Sequence, residues 1–155
     1  MEAAVATAFL LWHQQRIPEM TRLLEMALRT YHQDPWPLPG VMRQALRLAI
    51  GVGSVDKAAG ERLLTQLETP FALSMLGDRR LRDALSLAES VGFERYCRGL
   101  LGAWEPYFPW DEDALKLRVR CYERTGDARL DTARRELDRF LRAEPVRLAA
   151  GLRRR

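Results

Sequence analysis

The stretch "DALKLRVRCYERTGDARLDTARRELDRFLRAEP", Asp113 to Pro145, reads as two helices joined by a turn. Apolar residues recur three and four positions apart on both sides of Gly126-Asp127, the spacing of one helix face; no run alternates apolar and polar as a half-buried strand does. Glycine suits the left-handed position just past a helix end. Aspartate suits the N-cap of the next helix, where its carboxylate accepts from free backbone N–H groups. The spacing predicts one helix over Asp113 to Arg124 and a second over Ala128 to Glu144, closed by Pro145.

The turn has an earlier counterpart. "GDRRLRDA" (Gly77 to Ala84) stands forty-nine positions before "GDARLDTA" (Gly126 to Ala133). After the first, Leu81, Ala84, Ala88 and Val91 keep one face; after the second, Leu130, Ala133, Leu137 and Phe140 do the same. The small Ala84 and Ala133 allow close approach of a preceding antiparallel helix, as in stacked hairpins. Two readings stand: a structural repeat, or a chance recurrence in a composition rich in arginine, leucine and alanine.

Outward from this pair the pattern stays helical. A first helix covers Glu2 to Gln15, and Pro18 opens a second with Met20, Leu23, Leu24, Ala27, Leu28 and Tyr31 on its inner face. "DPWPLPG" (Asp34 to Gly40) stops it, because three prolines in five positions cannot continue a helix. A third helix, Val41 to Ile50, ends at a "GVGS" turn (Gly51 to Ser54), with Ser54 capping a fourth that runs to Leu67. Thr69-Pro70 starts a short fifth helix, "FALSML" (Phe71 to Leu76), and Gly77-Asp78 turns it into the next. Glu94 to Trp104 is helical and leads into a second aromatic and proline loop, "EPYFPW" (Glu105 to Trp110).

With 155 residues and no linker or low-complexity run, the chain is expected to be a single domain, 1–155, large enough to bury a core unaided. The expected fold is all-α: a right-handed, tetratricopeptide-like stack of antiparallel helical hairpins, an α-solenoid of roughly eight or nine helices.

The net charge of +4 and pI near 9.5 come almost wholly from arginine, since Lys57 and Lys116 are the only lysines. The 25 basic residues are opposed by 21 acidic ones interleaved along the same helices, so the excess is small for a nucleic-acid binder. Cys97 and Cys121 are far apart and in no CxxC spacing, which argues against a zinc site or a secreted disulfide framework and fits a reducing compartment. "AAVATAFLLW" (Ala3 to Trp12) is too short to span a bilayer, and Glu2 stands where a signal peptide carries a basic residue. It reads as a core helix of a cytoplasmic protein with no membrane contact.

Ala114 to Pro145 resembles a tetratricopeptide repeat: Tyr122 precedes the turn, Ala133 is the small residue and Pro145 ends the unit, with about two extra residues after the turn. "PWDEDALKLRVRCYERTGDARLDTARRELDRFL" (Pro109 to Leu141), with "LLEMALRTYHQDPWPLPG" (Leu23 to Gly40), further resembles the bacterial transcriptional activation domain of antibiotic regulatory proteins. That resemblance implies a helical module carrying protein contacts, either dimerisation or engagement of the transcription machinery. Such modules usually follow a winged-helix DNA-binding domain, and no strands of one are present. The resemblance therefore implies an activation-type module standing alone or cut from a longer regulator.

Candidate chemistry is sparse. His13 and His32 end consecutive helices, and antiparallel packing sets those ends a helix length apart, against a metal or proton-transfer pair. "GVGS" lacks a preceding strand and the spacing of a phosphate loop, and Lys57 is in no GK[ST] context. "WDED" (Trp110 to Asp113) reads as acidic helix capping, and "GLRRR" (Gly151 to Arg155) as a solvated charged end. Trp36, Tyr107, Phe108 and Trp110, held in proline loops, either make low-entropy partner contacts or plug the core. Arg118 lies between an apolar stripe of Leu115, Val119 and Tyr122 and another of Ala114, Leu117 and Cys121. It either presents its guanidinium to a partner carboxylate in a concave groove or forms a structural ion pair with an acidic neighbour.

These readings converge on a noncatalytic protein-protein interaction module without cofactor or metal, linked to bacterial transcription regulation. Arg118, Trp36, Tyr107 and Trp110 are the candidate partner-binding residues. The partner is expected to be a protein, either transcription machinery or a DNA-binding regulator, with homodimerisation as another form. Direct nucleic-acid binding through the arginine-rich helices, and an assembly adaptor unrelated to transcription, are the alternatives.

Overall fold

Residues 2–72, 77–105 and 107–143 are described by the computed structural model, and every regular element among them is an α-helix. In chain order these are α1 (Glu2–His13), α2 (Ile17–Tyr31), α3 (Pro39–Val55), α4 (Lys57–Glu68), α5 (Gly77–Val91), α6 (Phe93–Gly102), α7 (Glu112–Thr125) and α8 (Leu130–Ala143). They fall into two compact units, Met1–Leu100 and Leu101–Arg155. Among the described residues no helix is long and apolar enough to cross a membrane.

In the first unit, α1 and α2 pack as a hairpin, as do α3 and α4. Helix α1 also packs on α3, α2 on both α3 and α4, and α5 on both α3 and α4. Met20, Leu24, Ala27, Leu28 and Tyr31 of α2 are buried as the helical spacing predicts, with Leu23 only half-buried, and they join a pool that includes Met42, Leu46, Leu63, Leu64, Leu67 and Leu85. Of the face expected on α5, Leu81, Ala84 and Ala88 are buried and Val91 is half-buried.

Two turns differ from the expectation. "GVGS" is no turn: α3 runs through it to Val55, and Ser54 Oγ donates to the Ile50 carbonyl. The chain turns at Asp56, whose extended backbone lets its carboxylate accept from Ala59 N at 3.0 Å as the N-cap of α4. The glycines serve packing instead. A Cβ on Gly60 would meet Gly53 Cα and Val91 Cγ1, each at 2.6 Å, so α3, α4 and α5 close on one another where side chains are missing. Likewise, Pro39 starts α3 instead of ending the loop, since its fixed φ suits a first helical turn.

The Gly-Asp motif is also not one structure used twice. Gly126 has φ 61° and ψ 37°, the left-handed cap of α7, and Asp127 N donates to the Tyr122 carbonyl at 2.9 Å beyond it. Gly77 and Asp78 are instead the first two residues of α5. The shared letters are therefore a turn in one place and a first helical turn in the other. Of the short helix expected at Phe71 to Leu76, Phe71 and Ala72 are not helical and residues 73–76 lie outside the described residues, as do Pro145 and the arginines at 153–155.

A buried arginine finishes α4. Arg80 Nη1 donates to the carbonyl of Leu67, one of the last-turn carbonyls that no helical N–H reaches. Burial lowers the pKa of this guanidinium from its ordinary value.

In the second unit, α7 and α8 form the hairpin expected from the opening stretch. Asp111 caps α7 by accepting from Ala114 N at 3.0 Å, the capping role read from "WDED". Ala133 is fully buried beneath α7, whereas Leu130, Leu137 and Phe140 are only half covered. Neither cysteine is a free thiol, and each is buried. This corrects the expectation of reduced cysteines.

Candidate functional site

Arg118 is the centre of the second unit. Its position on the strip of α7 between Leu115 and Tyr122 carries the guanidinium inward, and the residue is only 6% exposed. Nη2 meets Glu105 Oε1 at 3.0 Å, and Nη1 donates to Glu136 Oε2 on α8. The guanidinium carbon lies 4.7 Å from the Phe108 ring centroid and 5.6 Å from that of Tyr122. Burial alone would lower its pKa; the Tyr122 hydroxyl and the carboxylates of Glu105 and Glu136 outweigh that and hold it above the ordinary value. The structural ion pair thus describes Arg118, and its charge is spent on this chain's own carboxylates.

A second arginine completes the cluster. The Tyr122 hydroxyl donates to Glu105 Oε1 at 2.9 Å, and Arg129 lies 4.5 Å from the Tyr122 ring centroid on the ring's face. Arg129 is fixed by Asp127, whose two carboxylate oxygens each accept from its guanidinium at 2.9 Å, and these bonds raise its pKa. Glu105, Arg118, Tyr122, Arg129 and Glu136 therefore form a clamp that locks α7, α8 and the loop before them. Its two glutamates are both ion-paired with Arg118.

The aromatic loop divides on this clamp. Trp104 is buried with Phe108 edge-on at 5.2 Å, so these two plug the core. Tyr107, between Pro106 and Phe108, is 90% exposed. Trp110 is 51% exposed, with its ring edge-on to Phe140 of α8 at 5.9 Å and Arg139 also 5.9 Å from its centroid. The structure thus brings Arg118, Tyr107 and Trp110 into one unit. Trp36 belongs to the other, 86% exposed, in a turn where its backbone N–H donates to Asp34 Oδ1 at 2.9 Å.

A groove in the first unit was not anticipated from the sequence. It is lined by Phe9, Trp12 and His13 of α1, by Arg43, Gln44, Arg47 and Gly51 of α3, and by Arg79 of α5, with a volume of about 850 Å³. Its signal was available: the whole of α3, Pro39 to Val55, carries two arginines and no acidic residue. His13 faces this groove while His32 contacts the Pro70 carbonyl through Nδ1 at 3.1 Å, so the two histidines stay apart. Among the described residues no group of three or more His, Cys, Asp or Glu side chains is placed to hold a metal ion.

No protein-family model, no curated protein and no solved structure matches the chain.

Proposed function

We propose that the chain is a noncatalytic protein-interaction module of stacked tetratricopeptide-like helical hairpins, serving bacterial transcription regulation. The observation that carries the interaction reading is the division of the aromatic loop, in which Tyr107 and Trp110 stand in solvent on a frame that Arg118 and its carboxylates fix. Large exposed aromatics are the residue type that anchors interfaces. The hairpins α1/α2, α3/α4 and α7/α8, with α1 on α3 and α2 on α4, support the stacked-repeat reading. The regulatory assignment is supported by the resemblance of Pro109 to Leu141 and Leu23 to Gly40 to bacterial transcriptional activation domains.

The test compares the chain with its Tyr107→Ala/Trp110→Ala variant as bait in a nuclease-treated bacterial lysate. Recovery of RNA polymerase, a sigma factor or a winged-helix regulator, lost in the variant, is the expected result. Recovery of assembly proteins alone would keep an adaptor and discard transcription. Recovery that nuclease abolishes would move the assignment to nucleic acid through the arginine-rich helices.

A further inference from the structure

The groove of the first unit has two chemically distinct walls. On α3, Gly40, Arg43, Gln44, Arg47, Leu48 and Gly51 follow at helical spacing and form one stripe along it. Arg43 and Arg47 lie one turn apart with their Cβ atoms about 6 Å from each other, close enough for two guanidiniums to converge on one multi-oxygen anion. Both are exposed, and the charge of Arg47 acts on the buried carboxylate of Asp83. Arg79 adds a third guanidinium, held by Asp83 at 2.8 Å. Asp83 is buried and is not part of the lining, which contains no carboxylate at all. Three arginines line the groove against the single carboxylate of Asp83, which leaves the lining net positive.

The other wall is aromatic. The Trp12 ring rests on α3 where Gly51 has no side chain; a Cβ there would meet Trp12 Cη2 at 3.2 Å. Phe9 and His13 pair edge to face at 4.6 Å beside it. The glycine thus seats a planar ring beside the arginines, at the end of their stripe, and the volume of about 850 Å³ lies in the range of small-molecule sites, roughly 300–1,000 Å³. A ligand complementary to both walls carries several anionic oxygens at one end and a planar ring at the other. Guanidinium forks match phosphate oxygens bidentately, and aromatic rings match a nucleobase.

We infer that the groove between α1, α3 and α5 binds a nucleoside phosphate, with its phosphates on Arg43 and Arg47 and its base against Phe9, Trp12 and His13. This site is independent of the aromatic loop, and the chain binds the nucleotide as a ligand without transforming it.

Calorimetric titration of the full chain with adenosine triphosphate, tripolyphosphate and adenosine tests it. The expected result is saturable one-to-one binding of the triphosphate, on the order of tenfold tighter than either fragment. Arg43→Gln/Arg47→Gln should weaken it by about tenfold or more with unchanged thermal unfolding, since both side chains are exposed. Gln44→Glu, which sets a carboxylate between the two arginines, should weaken it in the same direction. The Tyr107→Ala/Trp110→Ala variant should bind as the parent does, so failure here and failure of the interaction reading are separable. Absence of binding at millimolar triphosphate, equal affinity for tripolyphosphate, or an unchanged double-arginine variant would each overturn the proposal. So would an affinity for single-stranded oligonucleotides that rises with length well beyond what one groove covers.

Discussion

Arg118 and Glu105 face one another at 3.0 Å, and the far side of the same guanidinium is taken by Glu136. One side chain of α7 thus holds both the aromatic loop and α8. Removing it leaves two carboxylates near each other and uncovers the faces of Phe108 and Tyr122. Breaking a fully buried pair costs about 3–5 kcal/mol; Glu105 and Glu136 keep some solvent, so Arg118→Ala should cost about 2–3 kcal/mol. The denaturant midpoint of the variant measures this. Unchanged stability with lost partner binding would reverse the assignment and return Arg118 to the interaction surface.

Tyr31 makes stability depend on alkaline pH. Its hydroxyl is buried with no hydrogen-bond partner, and burial, assisted by Asp34, raises its pKa from 10.0 to about 12. Between those values the folded state keeps a proton that the unfolded chain releases. The contribution is therefore full below pH 10 and is lost as pH rises toward 12. Tyr31→Phe should flatten this alkaline decline while costing little at neutral pH, because the lost hydroxyl had no partner. Tyr122, whose pKa is also raised by burial, leaves a residual slope of the same sign. Unfolding free energies of parent and variant from pH 8 to 12 make the comparison.

Two glycines predict opposite signs. Gly60→Ala gains helix propensity of about 1 kcal/mol but drives a methyl into the backbone of Gly53 and into Val91, each at 2.6 Å. Overpacking of this kind costs about 1–3 kcal/mol, and backbone cannot step aside as a side chain can, so the variant should be less stable. Gly99 lies exposed within α6 with nothing within 4 Å of its added Cβ, so Gly99→Ala should stabilise by about 0.5–1 kcal/mol. Thermal melts of the two variants decide both.

The turn between α3 and α4 supplies another contrast. Asp56→Ala removes the carboxylate on Ala59 N and should cost about 1 kcal/mol. Ser54→Ala removes only a hydroxyl bond to the preceding turn of α3, so it should fall within about 0.5 kcal/mol of the parent. A larger loss at Ser54 than at Asp56 would place the helix break where the glycines suggested it.

Helices were legible because apolar spacing survives without knowledge of neighbours. The inner face of α2, and the hairpin at Gly126, followed directly from it. What failed was punctuation by glycine. Gly51 and Gly53 invite a turn by local preference, yet tertiary packing uses their missing side chains to seat Trp12, Leu87 and Val91, and the helix continues. Gly77 and Gly126 both precede an aspartate, yet the first opens α5 and the second ends α7, because conformation is set by where the chain must go next. Arg118 could be placed on its strip of α7, but its partners Glu105 and Glu136 belong to segments whose approach only the fold defines. The groove of Arg43 and Arg47 was visible as an acid-free helix, though its aromatic wall lies thirty or more residues away in α1.

The exposed aromatics give the sharpest separation between stability and binding. Tyr107 touches so little that Tyr107→Ala should leave the unfolding midpoint within about 0.5 kcal/mol of the parent. Trp110 packs edge-on against Phe140 and should cost about 0.5–1.5 kcal/mol when truncated, by loss of that pair. Interface anchors of this type lose about 2 kcal/mol or more of binding when cut to alanine, roughly thirtyfold in Kd. Binding loss should therefore exceed stability loss at both positions, and by the wider margin at Tyr107. If Trp110→Ala weakens the partner only as far as it destabilises α8, Trp110 is a packing residue and the surface narrows to Tyr107. If neither variant changes the Kd, the aromatic loop is not the interface, whatever protein the chain binds.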